Sequence, residues 1–175
     1  TADCDMVVVF GMPLSIANAL YNVAVTAYRG HIYGITVKTF LPNYGEFYEM
    51  RQFRPGPDTA RWITLDGKKI PFGPQLLFVA EQMEELVVSA EICEDVWSPV
   101  PPSTLAAREG ATVIVNCSAS DETIGKAAYR ESLIEGQSAR LICGYIYANA
   151  GEGESTTDLV FGGHNIIAEN GTTLV

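Results

Sequence analysis

The second half of the chain alternates strand-like and helix-like segments, and this order restricts the fold more than any other sequence feature. Three apolar runs have the length and composition of buried strands: 86–90, 111–117 and 141–150. Between them, a Pro-Pro pair at 101–102 opens a short helix, and 122–139 has helical spacing. A strand–helix–strand–helix–strand order implies right-handed crossovers and a sheet covered by helices. We therefore predict an α/β (α+β) chain.

Turn signals divide the rest of the chain into hairpins. The run at 5–13 is typical of a buried strand that ends in a Gly/Pro turn. The turns at 29–30, 66–67 and 169–171 each separate two strand-like runs, with glycine supplying the positive φ that such turns need. A long polar loop is expected from about 39 to 60. Because no linker, repeat or low-complexity segment interrupts the chain, we expect one domain.

Charge and hydropathy exclude two classes of partner. The net charge is −10, from 21 acidic and 11 basic residues, and no basic run occurs. This balance argues against nucleic acid and against an anionic membrane surface. No apolar stretch approaches the roughly 18 residues of a membrane span. We expect a cytoplasmic protein.

The cysteines and histidines do not form a metal motif. No C-x-x-C or H-x-x-x-H spacing occurs, so His31 and His164 are not expected to join cysteines at a metal. Cys4, Cys117 and Cys143 are interpreted as buried free thiols.

Cys93 is different, because it lies where a predicted central strand ends in E-I-C-E-D-V-W (91–97). Strand ends are where α/β folds expose their chemistry. The carboxylates of Glu91, Glu94 and Asp95 would oppose formation of the thiolate, so a cation is needed. Lys38 ends another strand-like run and is the predicted donor of that charge.

Five segments in order carry a resemblance to a known family: K-x-x-L-P-N-Y-G-E-F-Y-E (38–49), P-F-G-x-x-L-L-F (71–78), E-I-C-E-D-V-W (91–97), N-C-S-A-S (116–120) and A-G-E-G-E-S-T-T-D-L (150–159). The chain resembles the nitrilase, or carbon–nitrogen hydrolase, superfamily, and within it the glutaminase domains of glutamine-dependent NAD synthetases. The resemblance implies a nitrilase-like α-β-β-α sandwich, in which two mixed sheets pack face to face between helices. It also implies that 1–175 is a partial domain, truncated at the N-terminus and the C-terminus, with the general-base glutamate upstream.

The resemblance assigns catalytic roles to three residues. Cys93 would be the nucleophile, and Lys38 would hold the oxyanion together with the backbone N–H of Glu94. Glu49 matches a second family glutamate, which orients the lysine or the attacking water. A salt bridge from Glu49 to Arg51 or Arg54 is the alternative.

Substrate-binding roles follow from the same resemblance. Tyr44, Glu94 and Ser120 are expected around the pocket, with Trp97 as a wall. Ser120 and Asp121 could instead form a helix N-cap. The loop at 150–157 lacks the ending of a phosphate-binding loop and is interpreted as a cover over the site.

The implied reaction is hydrolysis of the side-chain amide of glutamine through a thioester on Cys93. The ammonia would pass to a synthetase domain of the same polypeptide, absent from 1–175, which uses ATP and Mg²⁺ to amidate nicotinic acid adenine dinucleotide. No cofactor or metal is expected in the present domain. A homo-oligomer through nitrilase-type interfaces is expected, and the chain alone is expected to be inactive because it lacks the base. The alternatives are a free-standing amidase or carbamoylase, or a catalytically inactive assembly fragment.

Overall fold

A computed structural model describes residues 5–154 and 158–175. Its first sheet, here the N-terminal sheet, contains five strands: β1 (Val7–Ile16), β2 (Ala19–Tyr28), β3 (His31–Val37), β4 (Arg61–Leu65) and β5 (Lys68–Gly73). Their spatial order is β1-β2-β3-β5-β4, and only β3 and β5 run parallel to each other. The predicted turns at 29–30 and 66–67 both join antiparallel neighbours, as expected.

The second sheet, here the C-terminal sheet, contains six strands: β6 (Leu77–Ala80), β7 (Met83–Ile92), β8 (Val113–Ser118), β9 (Gly144–Asn149), β10 (Ile166–Glu169) and β11 (Thr172–Thr173). Its order is β11-β10-β9-β8-β7-β6, with β7, β8 and β9 parallel. Helix α1 (Pro102–Arg108) connects β7 to β8, and α2 (Lys126–Leu141) connects β8 to β9. The alternating pattern in the sequence therefore predicted this parallel core correctly.

The two sheets pack face to face through small side chains. Ala24 of β2 lies in a buried cluster with Ala90 and Ile92 of β7. Glycine is needed at one close approach, because a Cβ on Gly34 would lie 2.7 Å from the ring of Phe78. Two mixed sheets in face-to-face contact confirm the predicted sandwich.

Both described helices lie on the outer face of the C-terminal sheet. Ile134 of α2 and Ala106 of α1 pack there against Ile114, Tyr145 and Tyr147. On the outer face of the N-terminal sheet a second apolar cluster is formed by Val23, Val25, Ile35, Val37, Ile70 and Phe72. Each sheet thus contributes to a core on both of its faces.

Three predicted boundaries were wrong. Strand β1 does not end at the Gly/Pro signal but continues to Ile16, and most of it is exposed. Pro13 is tolerated because β1 is an edge strand, and Ala17 and Asn18, both with positive φ, make the turn. Helix α2 begins at Lys126 rather than at 122, and the segment 159–168, expected as the first half of the last hairpin, contains strand only from Ile166.

No helix in the described part of the chain is long and apolar enough to cross a membrane.

Candidate active site

Cys93 lies on a strained turn at the end of β7. Its φ is +47°, in the left-handed region that non-glycine residues seldom occupy, and it begins a short 3₁₀ helix, Cys93–Trp97. The backbone N–H of Cys93 donates to Oδ1 of Asn116 at 2.9 Å. Backbone strain of this kind concentrates at functional sites, where the surrounding structure holds it in place.

A buried hydrogen-bond network supports this turn on the face of the C-terminal sheet that packs against the helices. Asn116 also accepts from the hydroxyl of Ser118 at 2.7 Å and donates to the hydroxyl of Tyr145 at 3.2 Å. The Tyr145 hydroxyl donates in turn to Glu91. Glu91 also accepts from the backbone N–H of Ser103 at the start of α1, at 2.9 Å, and burial raises the pKa of the Glu91 carboxyl.

Asp95 is the second buried carboxylate beside Cys93. Its Oδ1 accepts from the backbone N–H groups of Thr39, at 3.1 Å, and Phe40, at 2.9 Å. Its Oδ2 accepts from the N–H of Ile92 at 2.9 Å. Burial raises the pKa of Asp95 to about 7, against the opposing effect of the Phe40 and Ile92 hydrogen bonds. Two of the three acidic residues next to Cys93 in sequence therefore bind backbone amides.

Lys38 follows β3 directly and is 1% exposed. Its Nζ lies 2.7 Å from Oε1 of Glu49, which belongs to a short 3₁₀ helix, Glu49–Arg51. The side chain of Glu49 is 24% exposed, and its ion pair is with Lys38 rather than with Arg51 or Arg54. Because a buried ammonium without a partner is costly, this pair holds the 49–51 turn against the end of β3.

Lys38, Glu49 and Cys93 line one cavity of about 410 Å³. Its wall contains mostly small or polar residues from β1, β2, β7, β8, β9 and the loops after β8 and β9: Val9, Phe10, Gly11, Asn22, Ile92, Cys117, Ser118, Ala119, Ala148, Asn149, Ala150 and Glu154. The cavity brings together the three predicted catalytic residues, although Lys38 and Cys93 are 55 positions apart in the sequence.

Tyr44 and Glu94 contact each other next to this cavity. The Tyr44 hydroxyl donates to Oε1 of Glu94 at 2.7 Å. Burial and this hydrogen bond raise the pKa of Tyr44. Tyr44 itself lines a second cavity of about 410 Å³, formed by residues of the 43–51 loop, including Phe47, Tyr48 and Arg51. The predicted substrate residues Tyr44 and Glu94 thus form a pair beside Cys93 rather than part of the wall of the Cys93 cavity.

Trp97 and Ser120 do not line the Cys93 cavity. The Trp97 ring packs on Tyr129, with centroids 5.4 Å apart, and Nζ of Lys126 lies 5.9 Å from the Trp97 ring centroid. Ser120 is buried, and its hydroxyl accepts from the guanidinium of Arg130 at 3.3 Å. The alternative of a Ser120–Asp121 N-cap is wrong, because α2 begins at Lys126 after Gly125.

Several residues of the cavity were not predicted. Gly11 lines it because β1 continues past the Gly/Pro signal, and a Cβ at Gly11 would contact Cys117 at 3.8 Å. Asn116 supports Cys93 from β8, which pairs with β7 in parallel register. Strand order and register, which single-chain patterns do not give, were the missing information.

Cys117 is half-buried and lies on the cavity wall, whereas Cys143 is buried elsewhere. Burial raises the pKa of both thiols to about 11, so both are neutral near pH 7. Cys4 and part of the predicted cover loop lie outside the described residues, although Ala150 and Glu154 of that loop line the cavity. The described residues contain no group of three or more His, Cys, Asp or Glu that could hold a metal.

Two sequence relatives of this chain share one name. None of the protein-family models compared with the chain matches it. A glutamine-dependent NAD(+) synthetase of Mycobacterium leprae is 48% identical over 174 residues, which make up 99% of this chain and 26% of the relative. A synthetase of the same name from Aquifex aeolicus is 32% identical over 95% of this chain and 26% of the relative.

Solved structures agree with the sequence relatives. The crystal structure of a glutamine-dependent NAD(+) synthetase from Cytophaga hutchinsonii superposes with a TM-score of 0.85 and 32% identity, over 98% of this chain and 27% of that one. A carbon–nitrogen hydrolase from Helicobacter pylori shares the fold, with a TM-score of 0.73 and 19% identity, over 97% and 57% of the two chains.

The fold is therefore that of the nitrilase-like carbon–nitrogen hydrolases. By sequence, the chain is a homologue of the glutamine-dependent NAD(+) synthetases, and it spans about a quarter of the length of these relatives. The resemblance carried by the five motifs is confirmed.

Proposed function

We propose that this chain is glutaminase-domain sequence of a glutamine-dependent NAD synthetase. It would hydrolyse the side-chain amide of glutamine and supply the ammonia for synthesis of NAD. The observation that carries the proposal is the shared cavity of Cys93, Lys38 and Glu49, in which the cysteine occupies a strained strand-end turn. The sequence relatives favour glutamine over the simple amides of a free-standing amidase.

In the proposed reaction the thiolate of Cys93 attacks the amide carbon and forms a tetrahedral intermediate. Lys38 stabilises the oxyanion through its ammonium group, and the backbone N–H of Glu94 is the second donor. Collapse of the intermediate breaks the C–N bond. The general-base glutamate that the resemblance implies, having taken the thiol proton of Cys93, gives it to the amine, which leaves as ammonia. Water then attacks the glutamyl thioester and gives a proton to the same glutamate, which passes it to the sulfur as glutamate product is released and the thiol is restored.

Glu49 is a positioning residue in this scheme rather than the proton acceptor of Cys93. Its Oε1 is committed to Lys38 at 2.7 Å, so it orients and compensates the ammonium. The family resemblance assigns the general base to a different glutamate.

The paired Tyr44 and Glu94 provide a site for the polar end of glutamine. A carboxylate beside the nucleophile suits the α-ammonium group, and the tyrosine hydroxyl holds that carboxylate in place at 2.7 Å. Residues 150–154 at the cavity rim would cover the bound substrate.

The use of the ammonia is proposed from the relatives. A synthetase domain with bound ATP and Mg²⁺ would adenylate nicotinic acid adenine dinucleotide and amidate it. Cytoplasmic location and assembly into a homo-oligomer are part of the same proposal.

Replacement of the nucleophile tests the proposal in the protein at its natural length. Cys93→Ala should abolish glutamine-driven NAD synthesis and leave ammonia-driven synthesis within about twofold, because the thiol serves only to release ammonia. Cys143→Ala is the matched control, since Cys143 is outside the cavity, and it should retain both activities. Loss of both activities in Cys93→Ala, or turnover of simple aliphatic amides in preference to glutamine, would contradict the proposal.

A further inference from the structure

Asp95 connects the two halves of the candidate site. It is 1% exposed and accepts three backbone hydrogen bonds. Two come from Thr39 and Phe40, which follow Lys38 directly, and the third comes from Ile92, which precedes Cys93 directly. A single carboxylate is therefore bonded to the main chain next to both of the residues that the proposed reaction needs to hold together.

Local structure explains only one of these bonds. An acidic residue at the third position of a helix commonly accepts from the N–H that precedes the first turn, and the bond from Ile92 is of this kind. The bonds from Thr39 and Phe40 cross from the C-terminal sheet to the N-terminal sheet and span 56 and 55 positions of sequence. These two hydrogen bonds do not satisfy any backbone group of the 3₁₀ helix itself.

Burial of the Asp95 carboxylate also costs free energy. Burial raises the pKa of Asp95 to about 7 even though it accepts backbone hydrogen bonds, so these bonds do not fully offset its desolvation. A buried polar group whose stabilising bonds fall short of its desolvation is better explained by function than by stability.

We propose that Asp95 is a positioning residue, which locks the loop after Lys38 onto the turn that carries Cys93 and thereby sets the separation of these two side chains. The inference rests on the proposed function, because it takes Lys38 as the charge partner of Cys93. A catalytic group displaced by about 1 Å can cost about 10²-fold in rate, so such a lock has a direct kinetic consequence.

The test is a double-mutant cycle read by the rate at which iodoacetamide alkylates Cys93 in the protein at its natural length. Lys38→Met removes the charge at similar volume, and Asp95→Asn removes one end of the lock. Lys38→Met should lower the alkylation rate about tenfold, because an ammonium close to a thiolate favours it by at least that factor. Asp95→Asn should also lower the rate, because Lys38 is no longer held near Cys93, although loss of the Asp95 charge would by itself raise it. The double variant should react no more slowly than Lys38→Met alone, because Asp95 acts through Lys38.

A destabilised control separates positioning from general loosening. Ile134→Val trims a buried side chain in the helical layer, which destabilises the fold modestly, and it should leave the alkylation rate unchanged. If the fold-changes in alkylation rate of Lys38→Met and Asp95→Asn multiply in the double variant, the two residues act on Cys93 independently. That result would overturn the proposal. An unchanged or faster alkylation rate in Asp95→Asn would overturn it as well.

Hydrogen exchange in the unmodified protein gives a reading that needs no variant. The amides of Thr39, Phe40 and Ile92 should share one level of protection, since one side chain holds all three. Fast exchange at Thr39 and Phe40 beside a protected Ile92 would refute the lock. Neither alkylation nor exchange involves glutamine, so absence of glutaminase activity would count against the proposed function while leaving these readings intact.

Discussion

At the scale of single residues, the Lys38–Glu49 pair shows that a buried charged side chain is stabilised by a partner of opposite charge. Lysine is rarely 1% exposed, and the cost of removing its charge from water is offset here by a carboxylate at 2.7 Å. The other oxygen of that carboxylate, Oε2 of Glu49, is buried without a hydrogen-bond partner among the described residues. Glu49 therefore retains one acceptor for a group that enters the cavity.

Neutralising this glutamate should weaken both stability and activity. Glu49→Gln keeps an acceptor for Lys38 but leaves the ammonium without a counter-charge, so we expect a loss of about 2 kcal/mol in the free energy of unfolding. Glutaminase kcat should fall with it, because the lysine is no longer held. Denaturant unfolding and steady-state kinetics measure the two effects.

The matched control is Glu46→Gln, an exposed glutamate in the same loop, which should change stability by less than about 0.5 kcal/mol. If both variants behave alike, the pair has no special role.

The sequence motifs pointed to the three residues that line the cavity, but they did not predict the roles of residues that act through contacts between distant segments. Cys93 and Lys38 stand out because each directly follows a strand, and Glu49 because it ends the motif at 38–49. Asp95 and Asn116 accept hydrogen bonds from backbone amides of segments distant in sequence, so their roles depend on which segments are neighbours in the fold. A linear pattern does not contain that information.

At the scale of elements, two glycines differ in whether the surrounding structure leaves room for a side chain. A Cβ on Gly73, at the end of β5, would lie 2.5 Å from the Cα of Ala60. Gly136 lies exposed within α2, and a Cβ there would meet open space. The same substitution should therefore have opposite effects at the two positions.

Gly136→Ala should stabilise the protein by about 0.5–1 kcal/mol, because alanine loses less backbone entropy in a helix. Gly73→Ala should destabilise it by at least about 2 kcal/mol, because the backbone of a neighbouring segment must move. Thermal unfolding of the two variants beside the parent measures both. A fall in melting temperature for Gly136→Ala would mean that α2 is not a regular helix at that position.

Element prediction succeeded where pattern and turn chemistry agree, as in β7, α1 and β8. It failed at β1, where a Gly/Pro pair usually stops a strand but an edge position tolerates both residues. It also placed the start of α2 four residues early, because the polar residues before Gly125 have helical spacing without helical backbone.

At the scale of the whole molecule, the N-terminal sheet presents an exposed apolar edge. Strand β1 is ten residues long, and Val7, Phe10 and Met12 are 48%, 41% and 38% exposed. Trp62 of β4, at the opposite edge, is 68% exposed. Long apolar edge strands favour pairing with another chain.

The 175-residue chain by itself should therefore self-associate through β1. Met12→Lys places a charge on this edge and should shift the sedimentation coefficient toward that of the monomer. Ile124→Lys, at a fully exposed isoleucine in a loop, is the control and should leave association unchanged. A stable monomer in analytical ultracentrifugation of the parent chain would contradict the prediction.

The contact between the sheets also has a consequence for folding. Lys38 directly follows β3 of one sheet and Cys93 directly follows β7 of the other, so neither sheet alone holds the proposed charge pair. Contacts between distant parts of a chain form late, because closure of the intervening loop costs entropy first. The effect of Lys38 on the Cys93 thiol should consequently appear only when the sheets dock, at the end of refolding. Under the proposed function, a partly unfolded copy would lack this charge pair and would not hydrolyse glutamine.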